Sequence, residues 1–289
     1  MDAHILFDTG QLRKQRHRAS GSIAEHDFLL HAACERLADR LLDMNRSFPL
    51  AADIGCHHGI LAHHLASHPR IGTLISCADT PAMLQHAPQP KLLCDESLLP
   101  FAENSLDAIF SVGALHWVND LPGLLAQAQR ALKPDGLFLA ILPGGATLGE
   151  LRESFAHAES LITGGIHPRV SPFLDIRDAG SLLQRAGFAL PVVDSEPLTV
   201  TYETLFALAK DLRGMGESSA MLARPKTFLR RDVFAAAYAY YAAQHSDDEH
   251  RLIATIELLT LTAWKPAPNQ QQPLARGSAK HSLTKALNA

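Results

Sequence analysis

In the first half of the chain, apolar residues come in short uninterrupted runs separated by polar turns and helical stretches. FPLAADIGC (48–56), TLISCAD (73–79), KLLCDE (91–96), LDAIFSVGAL (106–115) and LFLAIL (137–142) read as five strands. GILAHHLASH (59–68) and LPGLLAQAQRAL (121–132) read as helices between them, the second stopped by KPDG. Ahead of the strands, HDFLLHAACERLADRLLDM (26–44) places Phe28, Leu29, Ala32, Ala33, Leu37, Leu41 and Leu42 at helical spacing. Strands that are apolar on both faces and alternate with helices predict a parallel sheet covered on both sides. Ligands in such sheets bind beyond the carboxyl ends of the strands. Asp53, Asp79 and the Asp95–Glu96 pair all stand at such ends.

After Gly145 the rhythm changes. Thr147 and Glu150 form a T-x-x-E pattern, which predicts a capping box ahead of the helix LRESFAHAESLI. TGGIHPRVSPF (163–173) is a Gly/Pro-rich loop, and AGSLLQRAG (179–187) is a short helix with Gly187 suited to its carboxyl-terminal cap. PVVDSEPLTV and ATIELLTLTAW bring the strands to seven, with helical sequence between them that includes TFLRRDVFAAAYAYYAAQ. The expected organisation is an N-terminal helical segment (1–45), a cofactor-binding core (46–143), sheet completion with cap insertions (144–265, the caps at 144–178 and 203–245) and a loose polar tail (266–289).

Composition narrows the function classes. The chain has 289 residues, 47% of them hydrophobic, enough for a large core. A formal net charge of -4 argues against a nucleic-acid partner. The basic run RKQRHR (13–18) reads as a solvated helix face or as a contact for an acidic partner surface. Cys34, Cys56, Cys77 and Cys94 form no C-x-x-C pair, and buried reduced thiols are expected. No apolar run reaches membrane-spanning length, and MDAHILFD has no signal-peptide pattern, so a cytoplasmic location without an integral membrane segment is expected.

The chemistry concentrates at DIGCHHG (53–59). A strand-loop-helix of this kind can aim backbone N–H groups at an anion. Asp79, about 20 residues further on, suits ribose hydroxyls, and Asp95 or Glu96 suits an adenine amino group; helix capping is the competing role for each acid. G-x-G-x-x-G is incomplete and no G-K-[ST] follows, which argues against a dinucleotide site and a P-loop. His57, His58, His63, His64 and His68 cluster, but Leu65 stands where a zinc-protease motif needs Glu, so a solvated histidine face is expected rather than a metal site. In GALHWVNDLP (113–122), His116 is a candidate general base and Trp117 a candidate pocket wall; the alternative is a turn residue beside a packing tryptophan.

This arrangement resembles the class I S-adenosylmethionine-dependent methyltransferases, whose first motif D/E-x-G-x-G-x-G reads here as Asp53, Gly55, His57 and Gly59, with His57 in place of the middle glycine. The resemblance implies an α/β, Rossmann-like fold: a mostly parallel seven-stranded sheet with helices on both faces and helical cap insertions. It implies S-adenosylmethionine as cofactor. Asp53, Gly55, Cys56, His57 and Gly59 would surround its methionine part, Asp79 with Thr80 its ribose, Asp95 and Glu96 its adenine, and Gly113 would border the reactive methyl group.

A narrower resemblance follows from FDTGQLRKQRHRA, HWVNDLP, LKPDG, TLGELR, SPF, DLRGMGES, AWK and RGSA, in that order. These segments are similar to the family of mitochondrial complex I assembly factor 5 and its bacterial relatives, over about Phe7 to Leu283. The family implies modification of a protein side chain, by methylation or by arginine hydroxylation, with a complex I subunit as partner and at most peripheral contact with the membrane complex. Glu217, Tyr238, Tyr240 and Tyr241 are candidate substrate-lining residues, against a turn-capping Glu217 and tyrosines packed on a helix. Two other functions stay open: a malonyl-acyl-carrier-protein O-methyltransferase of biotin synthesis, against which DLRGMGES and RGSA count, and a non-catalytic assembly chaperone, which His57 alone favours.

Overall fold

Seven strands build one sheet in the computed structural model, which describes residues 5–271. They are β1 (Phe48–Ile54), β2 (Ile71–Ala78), β3 (Lys91–Leu93), β4 (Leu106–Val112), β5 (Leu132–Pro143), β6 (Ala189–Tyr202) and β7 (Leu252–Trp264). Their spatial order is β3-β2-β1-β4-β5-β7-β6. β1 to β5 run parallel, and β7 lies antiparallel to both β5 and β6. The sheet is mostly parallel, as the strand-helix alternation predicts.

β5 explains the uninterrupted apolar runs. Leu137, Leu139 and Ile141 enter one core cluster, while Phe138, Ala140 and Leu142 enter another. Successive side chains leave a strand on opposite faces, so a strand covered on both sides needs apolar residues at every position. The first cluster receives α2 (Phe28–Leu42) through Leu30, Ala33, Cys34, Leu37 and Leu41, and α8 (Leu205–Gly214) through Leu205 and Leu208. The second receives α5 (Leu121–Ala131) through Leu124, Leu125 and Ala128, and α7 (Ile176–Arg185) through Ala179 and Leu183. Gly187, at φ +85°, closes α7 as expected. α6 (Gly149–Thr163) and α9 (Arg231–Gln244) pack on each other through Phe155, Ala158, Val233 and Ala237.

Three local expectations fail. The helix expected over 59–68 is the five-residue α3 (Ile60–His64); Pro69 disfavours helical backbone at His68 and the chain turns before it. The T-x-x-E pattern forms no capping box. Leu148 occupies the cap position at φ +52° without a side-chain cap. Thr147 Oγ1 instead accepts from Glu257 N at 3.1 Å, and the Glu150 carboxylate accepts from the Thr255 N–H and hydroxyl. Both residues tie α6 to β7, because long-range donors outcompete the local ones. The third fails at one residue of the basic run: on α1 (Thr9–Ala19), Arg13, Lys14, His17 and Arg18 are exposed, but Arg16 turns inward and is buried. Most of the polar tail, 272–289 with the RGSA segment, lies outside the described residues, as do residues 1–4.

Candidate active site at the carboxyl ends of the strands

Three segments far apart in sequence meet above the sheet. The Asn119 side chain accepts from the N–H groups of Leu6 and Phe7, each at 2.8 Å. The Phe7 ring meets the Trp117 ring edge-on, with centroids 5.0 Å apart. Asp8 N–H donates to Ala220 O at 2.8 Å, and Leu222 N–H to Leu6 O at 2.9 Å. FDTG, HWVND and the stretch after DLRGMGES therefore form one unit, sealed by Phe7, Leu12, Trp117, Ala220 and Met221. The glycines of GMG permit it. A Cβ on Gly214 would stand 2.0 Å from His26, and Gly216, at φ +82°, turns the chain beside Arg16.

Under this unit lie the acids of the strand ends. Arg16 Nη1 is 2.7 Å from Glu96 Oε1 and 3.1 Å from Asp79 Oδ1. Arg13 reaches Asp95 at 2.9 Å and Asp79 at 3.4 Å. The i, i+3 spacing of the two arginines puts them on one face of α1, so the basic run covers this chain's own acids. Burial opposes the charge on Arg16, yet Glu96 and Asp79 more than offset it and hold its pKa above the ordinary value. Glu96 is pushed up by burial against the pull of Arg16. Asp95 is half-exposed and also accepts from Ser97 N–H and hydroxyl, so it takes the turn-capping role as well.

Asp53 is 1% exposed, and neither carboxyl oxygen has a hydrogen-bond partner. Burial, with the neighbouring Glu96 charge, raises its pKa to about 8. Thr80 Oγ1 and Arg16 Nη2 are likewise buried without partners. Unsatisfied buried polar atoms are scarce in native proteins and mark a missing partner. Their concentration at the strand ends fits the hydroxyls, amino groups and carboxylate of S-adenosylmethionine, on condition that α1 gives up Asp79 and Asp95.

The loop itself contributes differently from expectation. Gly55 and Cys56 N–H groups both donate to Cys77 O, and Gly59 N–H donates to Cys56 O. These residues shape the turn instead of offering donors, and α3 is too short to add much dipole. His57 adopts φ +50°, the left-handed conformation that the glycine of the motif would take. Its Nε2–H donates to Val112 O at 3.0 Å, and burial, helped by Arg16, lowers its pKa to about 4, so the ring is neutral. The other histidines do not share one solvated face: His58 is 3.0 Å from Asp27, and His64 is 2.8 Å from His31.

Beside the acids, past His57 and Gly113, opens a cavity of about 270 Å³. Its walls are mainly apolar, from Leu29, Leu30 and Ala33 of α2, the end of β5, Leu148, Phe173 and Trp117. Asp53, Asp79, Asp95 and Glu96 do not line it, so the cavity adjoins the acid cluster without being part of it. Glu217 faces it. Both His116 Nε2–H, at 2.8 Å, and Trp117 Nε1–H, at 2.9 Å, donate to Glu217 Oε2. Burial favours the neutral carboxyl, but His116 outweighs it and the Glu217 pKa is lowered.

His116 is thus held against Glu217. Its Nε2 is engaged there while its Nδ1 is buried without a partner, so the ring fixes Glu217. The tyrosines fall elsewhere. Tyr241 is fully buried and donates to Ile253 O at 2.7 Å; Tyr240 bonds Glu153; Tyr238 packs against the core. Sequence reasoning missed the pairing of Arg13 and inward Arg16 with the acids, for which their helical spacing was the available signal. It also missed the α2 wall and Phe173, which carried none.

A family model described as a methyltransferase domain matches residues 52–140. The mitochondrial arginine-hydroxylase NDUFAF5 of Rattus norvegicus is 40% identical over 285 residues, covering 96% of this chain and 82% of that protein. The malonyl-[acyl-carrier protein] O-methyltransferase of Xylella fastidiosa is 32% identical over 280 residues, covering 94% and 92%. Haemonchus contortus phosphoethanolamine N-methyltransferase 2, solved with phosphomonomethylethanolamine and S-adenosylhomocysteine, superposes with a TM-score of 0.54 at 17% identity over 89% of this chain and 60% of that one. That likeness is one of fold.

Proposed function

The chain belongs to the complex I assembly factor 5 family within the class I methyltransferase superfamily, and on that premise we propose that it is an S-adenosylmethionine-binding enzyme that modifies a protein side chain during assembly of respiratory complex I, by methylation or by arginine hydroxylation. The observation that carries this reading is that FDTG, HWVND and the stretch after DLRGMGES pack into one unit, of which HWVND and DLRGMGES line one cavity beside the acid cluster.

Bound at the strand ends, S-adenosylmethionine would supply an electrophilic methyl group on a sulfonium. Asp79 would accept from ribose hydroxyls and Asp95 from the adenine amino group once Arg13 and Arg16 yield. Asp53, with no partner of its own, would receive the cationic end of the methionine part. Gly55, Cys56, His57 and Gly59 would set the shape of that end, with Thr80 beside the ribose and Gly113 at the border with the cavity. Alignment dominates such chemistry, and the apolar walls would exclude water. The partner is a protein substrate, a complex I subunit. The site of action is the cytoplasm; among the described residues no helix is long and apolar enough to cross a membrane.

Arg213, an exposed guanidinium lining the same cavity, favours the malonyl-carrier reading, since a carboxylate substrate needs a cation. The Glu217 carboxylate opposes it. Calorimetry with S-adenosylmethionine tests the premise: saturable binding is expected, and none at millimolar ligand would leave only the chaperone reading. Mass spectrometry of complex I subunits from a deletion strain then identifies the mark, by whether the missing mass is that of an oxygen or of a methylene.

A further inference from the structure

We propose that Glu217 is the residue that selects the substrate side chain, its Oε1 binding the guanidinium of an arginine inserted into the cavity. The inference rests on the protein-modifying reading and deepens it. Two buried donors converge on Oε2, whereas among the described residues no donor reaches Oε1. The carboxylate is thus oriented by one oxygen and leaves the other for a ligand. Pinned this way, it loses little further freedom on binding, which favours affinity.

The surroundings suit a planar cation on an apolar stem. Trp117 and Phe173 supply aromatic faces, with the Phe173 ring 5.9 Å from the His116 ring, and guanidinium groups stack on such faces while pairing with carboxylates. The leucines of α2 and β7 would pack the methylene stem. A cavity of about 270 Å³ lies below the roughly 300–1,000 Å³ of pockets that enclose drug-sized ligands, and matches one inserted side chain. The cations nearby leave Glu217 available. Arg169 is committed to Glu159, its Nε and Nη2 both on Oε1. Arg16 pairs with buried Glu96 at 2.7 Å, a contact that yielding Asp79 leaves in place. Arg213 is exposed and would steer weakly against a second cation.

The test is calorimetry in saturating S-adenosylmethionine with two probes, N-acetyl-Gly-Arg-Gly-amide and its citrulline counterpart, which keeps shape and loses charge. Wild-type protein should bind the arginine peptide about tenfold tighter or more, the scale of one charge-assisted hydrogen bond. Glu217→Gln should abolish that preference, and Arg213→Gln should keep or increase it. Equal binding of the two peptides to the wild type, or no binding of either, overturns the inference without relying on any variant's folding. An unchanged preference in Glu217→Gln also overturns it, while the protein-modifying reading stands. Binding of malonyl-pantetheine in place of the arginine peptide removes the reading and the inference together.

Discussion

Replacing Asp53 by asparagine should make the protein more stable at pH 7. In the fold, the Asp53 carboxyl is closed off from water, unpartnered, and held near a pKa of about 8 against an ordinary value of 3.8. The native state therefore keeps a proton that the unfolded chain releases. Where the native state binds more protons than the unfolded one, stability falls as pH rises. The loss begins near the unfolded pKa, continues at about 1.4 kcal/mol per unit, and levels off at the folded value. At pH 7 the accumulated loss is about 4 kcal/mol. Asparagine has no proton to release and removes it. Its amide adds unpaired buried hydrogens that cost about 1–3 kcal/mol, so the net gain at pH 7 should be about 1–3 kcal/mol. The sharper quantity is the difference between the two proteins' pH profiles: the advantage of the variant should shrink by about 3 kcal/mol between pH 7 and pH 5. Urea unfolding followed by the fluorescence of Trp117 and Trp264 measures it. Parallel stability profiles for wild type and variant across that range would refute the reasoning. The variant should also bind S-adenosylmethionine more weakly, which is why a destabilising acid fits a functional role.

Two further substitutions separate structure from binding. Arg16→Met strips the cation from buried Glu96 and Asp79 and should cost about 3–5 kcal/mol in urea unfolding, whereas half-exposed Arg13→Ala should cost no more than about 1 kcal/mol; equal effects would mean that the buried pair is not what holds α1 down. His57→Gly relieves a left-handed strain of about 1–2 kcal/mol but gives up a buried ring and its bond to Val112 O; it should leave S-adenosylmethionine affinity within about threefold, and a tenfold gain would show that the imidazole obstructs the cofactor.

The arginines and the histidine show where local reading stops. RKQRHR is basic on any view, but whether it faces solvent, a partner or the chain's own acids depends on a contact that spans 80 residues, from Arg16 to Glu96. At His57 the sequence reveals a missing glycine but not that the residue would adopt the glycine's backbone and turn its ring to a carbonyl. The T-x-x-E pattern carries a local signal that β7 overrides, since Glu150 finds Thr255, 105 residues away.

By itself the sequence determined the strands, the helices that cover both faces and the row of acids at the strand ends. These follow from side-chain periodicity and from turn chemistry, which act over a few residues. The segments that characterise the family were legible as text in the same way. Only the tertiary structure decided which acids are covered, which carboxyl is left without a partner, and that His116 and Trp117 hold Glu217 across about 100 residues of chain. Such pairings are settled when desolvation, charge and backbone geometry are satisfied together in the folded molecule, and no short stretch of sequence contains all of the partners.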